Sequence, residues 1–230
     1  MAFINYSSRE IQLKIVYYGA ALCGKTTNLV TLHKQITHAQ KGELVSLATD
    51  ADRTLFFDFL SLNTKTLPGF TTRFQLYTVP GQAIYNTTRQ LVLKGVDGIV
   101  FVVDSHWDKM ADNVESFSNL QENLIENHLS LVQIPYVLQY NKRDIPNAAP
   151  INYLEFTFNN RANRALAFES VAATGSGVLE TLNAAARLLL AKYSKTPNAN
   201  VTGMSQPNLS VAVPPSDLNP PVPTTGNAVA

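Results

Sequence analysis

Tyr17–Leu29 reads YYGAALCGKTTNL: an apolar, strand-like run ends in a glycine, and a second glycine, a lysine and two threonines open a helical pattern. Gly19 to Thr26 fits the spacing G-x-x-x-x-G-K-[ST], and a place between strand and helix makes that spacing specific. The chemistry follows from the residue types. Backbone N–H groups of Gly19, Ala20, Ala21, Leu22, Cys23 and Gly24 can turn inward as an anion nest, with glycine allowing a close curl around phosphate oxygens. The helix start, Lys25, Thr26 and Thr27, adds partial positive charge. Lys25 can reach the β- and γ-phosphates of a nucleotide, and the Thr26 hydroxyl can ligate Mg²⁺. Cys23 reads either as a small side chain packed beneath the loop or as a reactive thiol.

A phosphate cradle does not name the base. The stretch NKRD, Asn141 to Asp144, ends the apolar run IPYVLQYN and faces the same end of a sheet. The Asp144 carboxylate only accepts hydrogen bonds and can take two from guanine's N1–H and exocyclic amine. Adenine offers no such donor pair. Two charge-assisted bonds of about 1.5–3 kcal/mol each imply roughly 10²–10⁴-fold preference for guanine. The Lys142 stem can lie over the base, and Asn141 can tie this loop to the phosphate loop. Further on, VAATGSG offers the N–H groups of Ala172 and Ala173 to the guanine carbonyl.

Around these motifs, short β-branched or aromatic runs alternate with helical patterns from about Glu10 to Tyr193. GIVFVVD and IPYVLQYN read as central parallel strands covered on both faces. LVSLAT and TRFQLYTV have no helix between them and are expected to pair antiparallel. In the helical stretch between the central strands, Met110, Val114, Phe117, Leu120, Leu124 and Ile125 fall at core spacing. Such alternation makes a doubly wound α/β sheet with ligands at the carboxyl ends of its strands. Residues 1–193 form the expected globular domain. Residues 194–230 are rich in Pro, Asn, Ser and Thr, carry almost no charge and cannot bury enough surface to fold alone. They read as a disordered tail: a solvated extension, or a docking segment built on VPPSDLNPPVP, which favours polyproline II.

Charged residues make up 15% of the chain and the net charge is +1, which gives no field to recruit nucleic acid. The first residues lack the basic and apolar regions of a signal peptide and the second-position glycine of myristoylation, and the last lack a prenylation cysteine. The expectation is a cytoplasmic protein without a lipid anchor. A single cysteine leaves no internal disulfide. The four histidines lack metal-ligand partners and read as satisfied or solvated. Trp107 is either a partner anchor or a lid on the core.

FINYSSREI, KIVYYG, LCGKTTNL, DRTLFFDFL, TVPGQ, LKGVDGIVFVVDS and YNKRD together resemble the Ras superfamily of small GTPases, and within it the bacterial MglA-type polarity and gliding-motility GTPases. The resemblance spans nearly all of residues 1–193 and none of the tail. It implies the P-loop, small G-protein fold: a mostly parallel, six-stranded sheet with helices on both faces. It implies GTP and GDP as ligands with Mg²⁺, and hydrolysis of GTP to GDP and phosphate. TDADRTLFFDFL falls where this fold carries its first switch loop, with Thr54 closing over Mg²⁺ beside Thr26. Arg53 resembles an arginine finger supplied in cis; by its own residue type it is an exposed arginine on a polar loop. In the second switch, Gly81 can give its N–H to the γ-phosphate and Gln82 can orient the attacking water.

Two departures stand out. Thr78 occupies the place where most small GTPases have an aspartate in the outer shell of Mg²⁺, so either metal retention is weakened or that shell shifts to another acid, with Asp52 and Asp58 nearby. Ala21 stands where glycine is usual, and its methyl could crowd Gln82 or Arg53. The resemblance further implies a roadblock-type (MglB-like) homodimeric activating partner, effectors of polarity and motility in the GTP state, and recruitment to a cell pole. The rival reading is a GTP-binding scaffold with little hydrolysis. An ATP-using P-loop kinase or transporter subunit conflicts with NKRD.

Overall fold

The computed structural model describes residues 3–49, 52–67, 70–162 and 164–194. The chain runs β1 (Phe3–Asn5), β2 (Glu10–Tyr18), α1 (Lys25–Gln35), β3 (Lys41–Thr49), β4 (Asp52–Leu67), β5 (Phe70–Thr78), α2 (Asn86–Leu93), β6 (Gly98–Asp104), α3 (Met110–Glu126), β7 (Tyr136–Asn141), α4 (Ile151–Phe158), β8 (Leu166–Glu169) and α5 (Val178–Ser194).

One sheet takes all the strands, in the order β3-β4-β5-β2-β6-β7-β8, with β1 also paired to β2. β2 pairs parallel with β5 and β6, and the parallel run continues through β7 to β8. Among the described residues the sheet therefore has eight strands where six were expected. Part of the difference is β1, an antiparallel strand held by a turn in which Asn5 Oδ1 accepts the N–H groups of Ser7 and Ser8. The rest is β4. LVSLAT and TRFQLYTV do not pair with each other; β4 lies between β3 and β5, antiparallel to both. The stretch expected as a first switch loop is thus mostly strand, from Asp52 onward. Alternating Leu60, Leu62 and Thr64 put a buried side chain at every second position, which is the period of a half-covered strand.

β2 shows how one strand builds two cores. Leu13, Ile15 and Tyr17 face α1 and α5, while Val16 and Tyr18 face the side of α2, α3 and α4. β6 is buried at every residue, with Val100 and Val102 on the first side and Ile99, Phe101 and Val103 on the second. Each such side chain contributes about 1.5–3 kcal/mol when fully buried. Phe101 stacks near Tyr18 and meets Phe117 edge-on, at centroid separations of 6.5 and 4.8 Å.

α3 turns differently from its apolar pattern. Met110, Phe117, Leu120 and Leu124 are buried, but Val114 and Ile125 are 45% and 66% exposed. Asn113 and Asn123 take the inner face instead. Asn123 Nδ2 lies 3.0 Å from Tyr18 Oη, 2.9 Å from Asn86 Oδ1 and 2.9 Å from Asn119 Oδ1, and Tyr18 Oη donates to Asn119 Oδ1 at 2.6 Å. A buried amide with partners on β2, α2 and α3 fixes the spacing of those three elements, at the cost of tolerating no apolar replacement. Burial pushes the Tyr18 hydroxyl up to about 12, so it remains a neutral donor.

Asn123→Ala is expected to remove one amide donor from Tyr18, Asn86 and Asn119, which keep only their bonds through Asn119, and to cost about 1–3 kcal/mol of stability, read as a lowered urea midpoint with an unchanged slope. An unchanged midpoint would show that the amide cluster holds nothing.

Candidate functional site

The two motifs meet at the carboxyl ends of β2 and β7, and one side chain joins them. Asn141, buried at the last position of β7, donates from Nδ2 to the Cys23 carbonyl at 2.8 Å. Its Oδ1 accepts from the Ala172 N–H at 2.9 Å and from Ser170 Oγ at 3.1 Å. One amide thus holds the phosphate loop, the NKRD loop and the loop after β8 against one another. The same contact explains Gly24, at φ 106°: a Cβ there would lie 2.2 Å from Asn141 Nδ2. The Ala172 N–H offered to guanine in the sequence reading is therefore engaged inside the protein, and Ala173 is the exposed neighbour.

The phosphate loop leads into α1 with no side-chain cap at Gly24 and no acidic residue in the helix's first turn. Leu22, in the middle of the loop, is held at φ 61° and is 84% exposed. Such a backbone is uncommon for a branched residue and aims neighbouring N–H groups to one side. Lys25 is buried, and its Nζ donates to the carbonyls of Gly19 and Ala20 at 2.9 and 2.7 Å, folded over the loop mouth. Burial pulls its ammonium down from the ordinary value, although the Cys23 thiol opposes this. Cys23 is fully buried beneath the loop and burial pushes its thiol up, which fits the packing role over the reactive one. Ala20, Ala21, Thr26 and Thr27 complete the turn into α1.

Beyond Asn141, Lys142 also adopts a left-handed backbone, at φ 64°. Its Nζ donates to Asp104 Oδ2 at 2.6 Å, and His106 Nδ1 lies 2.8 Å from Oδ1 of the same carboxylate. Burial alone would push Asp104 up; the hydrogen bonds from Lys142 and His106 outweigh it and hold its carboxyl below the ordinary range. Asp144 lies exposed at the rim. Trp107 packs on Tyr153 with centroids 4.9 Å apart and stays 47% exposed, so it is no lid on the core.

A family model for the ADP-ribosylation factor family matches residues 2–188. The chain is 53% identical over 195 residues to the mutual gliding-motility protein MglA of Myxococcus xanthus (strain DK1622), covering 85% of this chain and 99% of that protein. The chain belongs to the MglA-type small GTPases. It is a guanine-nucleotide-binding switch and a GTP hydrolase.

In this GTPase the second switch rests directly on the phosphate loop. A Cβ on Gly81 would fall 2.4 Å from Ala21 Cα and 2.6 Å from Ala21 N, so only glycine fits. Gln82, exposed, follows at the edge of a cleft of about 520 Å³ that Arg89 and Asn86 of α2 and Glu115 of α3 also line. Arg53 and Thr54 lie in the first turnless residues of β4; their side chains, and that of Asp52, fall outside the described residues.

Among the described residues, Asp58 is the acid hydrogen-bonded to Thr26 at the phosphate loop. It is buried, and its Oδ2 accepts from Thr26 Oγ1 at 2.6 Å and from Thr78 Oγ1 at 2.8 Å. Its Oδ1 accepts from Ser46 Oγ at 2.5 Å, across the β3–β4 pair. Thr78 is thus bonded to a carboxylate where most small GTPases carry one. Among residues that the motifs did not flag, Ser46 and Asn28 belong here. Asn28 spans from the Gly24 carbonyl to Gln139 of β7. Ser46 was legible only through its register opposite Asp58, and Asn28, which shares the buried face of α1 with Lys25, Leu29, Thr31 and Leu32, carries no signal in the sequence.

The depressed titration of Asp104 gives a pH-dependent expectation. A folded value below the unfolded one of about 3.9 contributes stability that is complete above that value and lost as pH falls through the folded value. Lys142→Met should lower stability at neutral pH by about 1.5–3 kcal/mol, the worth of a charge-assisted bond, and the gap to wild type should close in acid below about pH 4. Urea titrations at several pH values read this; a gap that persists unchanged in acid would count against the Lys142–Asp104 bond as its source.

Proposed function

We propose that this GTPase is a switch of cell polarity and motility, holding GTP or GDP with Mg²⁺ and acting through partners that read its nucleotide state. The observation that carries the reading is the Asn141 amide, which joins the phosphate loop to the loop bearing Asp144. In that frame the N–H groups of Gly19 to Thr27 and the Lys25 ammonium hold the phosphates. Asp144 takes the two guanine donors, Lys142 covers the base, and Ala173 meets the guanine carbonyl. The name of the Myxococcus xanthus relative supports a role in gliding motility. Among the described residues no helix is long and apolar enough to cross a membrane; the proposed location is the cytoplasm, with recruitment to a pole.

The oxygens at the phosphate loop suit a hard cation. Mg²⁺ takes one or two protein oxygens together with phosphates and waters rather than a protein cage, and no cluster of three or more His, Cys, Asp or Glu exists among the described residues. Thr26 Oγ1 is the proposed protein ligand, joined by Thr54 when the first switch closes. Asp58, bonded to Thr26 and Thr78, is the proposed outer carboxylate. Mg²⁺ would neutralise charge on the β- and γ-phosphate oxygens. Gln82 orients a water, whose oxygen attacks the γ-phosphorus as the bond to the β-phosphate oxygen breaks and GDP leaves. Arg53, inserted with the help of a roadblock-type homodimeric partner, stabilises the charge that develops. Gly81, seated on Ala21, gives its N–H to the γ-phosphate and so links the state of the loop to Gln82.

Single-turnover GTP hydrolysis with and without such a partner tests the proposal. The partner is expected to raise the rate by about 10³-fold or more, the scale of an inserted arginine, and Gln82→Ala to abolish the increase. Absence of turnover under both conditions, with GTP still bound, would favour the scaffold reading that Ala21 and Thr78 suggest.

Asp58→Asn should speed GDP release in millimolar Mg²⁺ by about 10–100-fold, the usual effect of losing an outer-shell carboxylate, and leave release in chelator equal to wild type. Equal release in Mg²⁺ would move that outer shell to another group.

A further inference from the structure

Residues 195–230 lie beyond both the family match, which ends at 188, and the described fold. A groove that the GTPase site does not use begins where they leave it. This groove, of about 560 Å³, lies at the amino ends of β7 and β8, opposite the nucleotide loops. Its floor is apolar: Val132, 87% exposed, Pro135, Tyr136 and Leu166, 51% exposed. Its charges have one sign. Arg161, Arg164 and Lys192 line it, and among the described residues no acidic side chain does. The Tyr136 hydroxyl in the lining is out of solvent and has no hydrogen-bond partner among the described residues. An apolar trough with three cations and a spare hydroxyl suits an apolar peptide that carries a carboxylate.

We propose that the chain's own tail occupies this groove, with the segment VPPSDLNPPVP (213–223) along its floor and the Asp217 carboxylate among Arg161, Arg164 and Lys192. Three observations select this occupant. Helix α5 ends at Ser194, two residues past Lys192 in the groove wall, so the tail starts beside its site. Asp217 is the sole acidic side chain after Glu180, and it sits between two proline pairs within the apolar part of the tail. Proline-rich segments that favour polyproline II dock in grooves with aromatic walls because little ordering entropy remains to be lost. The tether is long enough: the residues from Ser194 to Asp217 give a root-mean-square reach of roughly 25 Å at about 5–6 Å times the square root of their number.

Cys23 is the single cysteine and is buried, so Ser210→Cys in the full, GDP-loaded chain takes a nitroxide label selectively. Because a tethered site meets its ligand at about millimolar effective concentration, the amide signals of Gln133, Ala162 and Leu166 should fall by about twofold or more against the reduced label, while those of Gly81 and Asn86 hold. Asp217→Lys, or Arg164→Glu, should restore them. Unchanged signals at the groove, or loss centred elsewhere, would overturn the proposal. So would loss that appears when labelled chain is mixed with isotope-enriched unlabelled chain, since the occupant would then be a second copy. Loss that survives Asp217→Lys would overturn the carboxylate anchor.

Discussion

The Asn141 side chain is the constraint on which the site depends. Each of the loops at the carboxyl ends of β2, β7 and β8 is short and could settle in several shapes by itself. Asn141 removes that freedom by taking Cys23, Ser170 and Ala172 as partners at once, all within 3.1 Å. An aspartate could not do the same, since it lacks a donor for the Cys23 carbonyl. A glutamine would carry the amide one carbon further into space that Gly24 leaves only because it has no Cβ. The left-handed backbones of Leu22 and Lys142 sit on either side of this clasp. Strain of about 1–3 kcal/mol in such residues persists only where surrounding contacts over-determine them, and Asn141 supplies those contacts.

A second carboxylate settles what Thr78 means. Taken alone, threonine at that position removes an acid from the phosphate end of the sheet. In the fold, β4 runs antiparallel beside β5, and its Asp58 comes within hydrogen-bond distance of both Thr78 and Thr26. The pairing is reciprocal, because the Asp58 N–H donates back to Thr78 Oγ1 at 2.8 Å. Acid and hydroxyl have in effect exchanged strands. A carboxylate at Asp58 lies within the stretch expected as the first switch, on a strand paired antiparallel at both edges, so a shift of β4 would move it, whereas one on β5 would sit beside the parallel pair with β2. The proposed hold on Mg²⁺ would thus depend on the position of β4 itself.

The central strands and the phosphate and base motifs were legible because each is a local signal: continuous apolar runs, and spacings that need no partner. What was not legible depends on contacts between distant segments. Val114 and Ile125 share the helical period of Phe117 and Leu124, and only the presence of Tyr18 and Asn86 opposite α3 turns Asn123 inward in their place. The position of β4 between LVSLAT and TRFQLYTV is invisible to periodicity, which reports that a face is covered and not by what. Asp52 and Asp58 looked alike in sequence; register separates them, since Asp58 pairs with Ser46 near the phosphate loop. The sequence shows the Ala172 N–H but not what takes it, since the Asn141 Oδ1 that accepts it lies thirty-one residues earlier.

The contact between Gly81 and the phosphate loop is made by backbone on both sides: a Cβ on Gly81 would meet Ala21 Cα, Ala21 N and the Ala20 carbonyl carbon at 2.4, 2.6 and 2.9 Å. The close approach makes the two segments move together over short distances, since overlap costs energy steeply while separation forfeits packing. Asn86 then extends the same coupling into the body of the protein through Asn119, Asn123 and Tyr18. The segment from Gly81 to the start of α2 therefore touches the phosphate loop at one end and the amide cluster on α3 at the other.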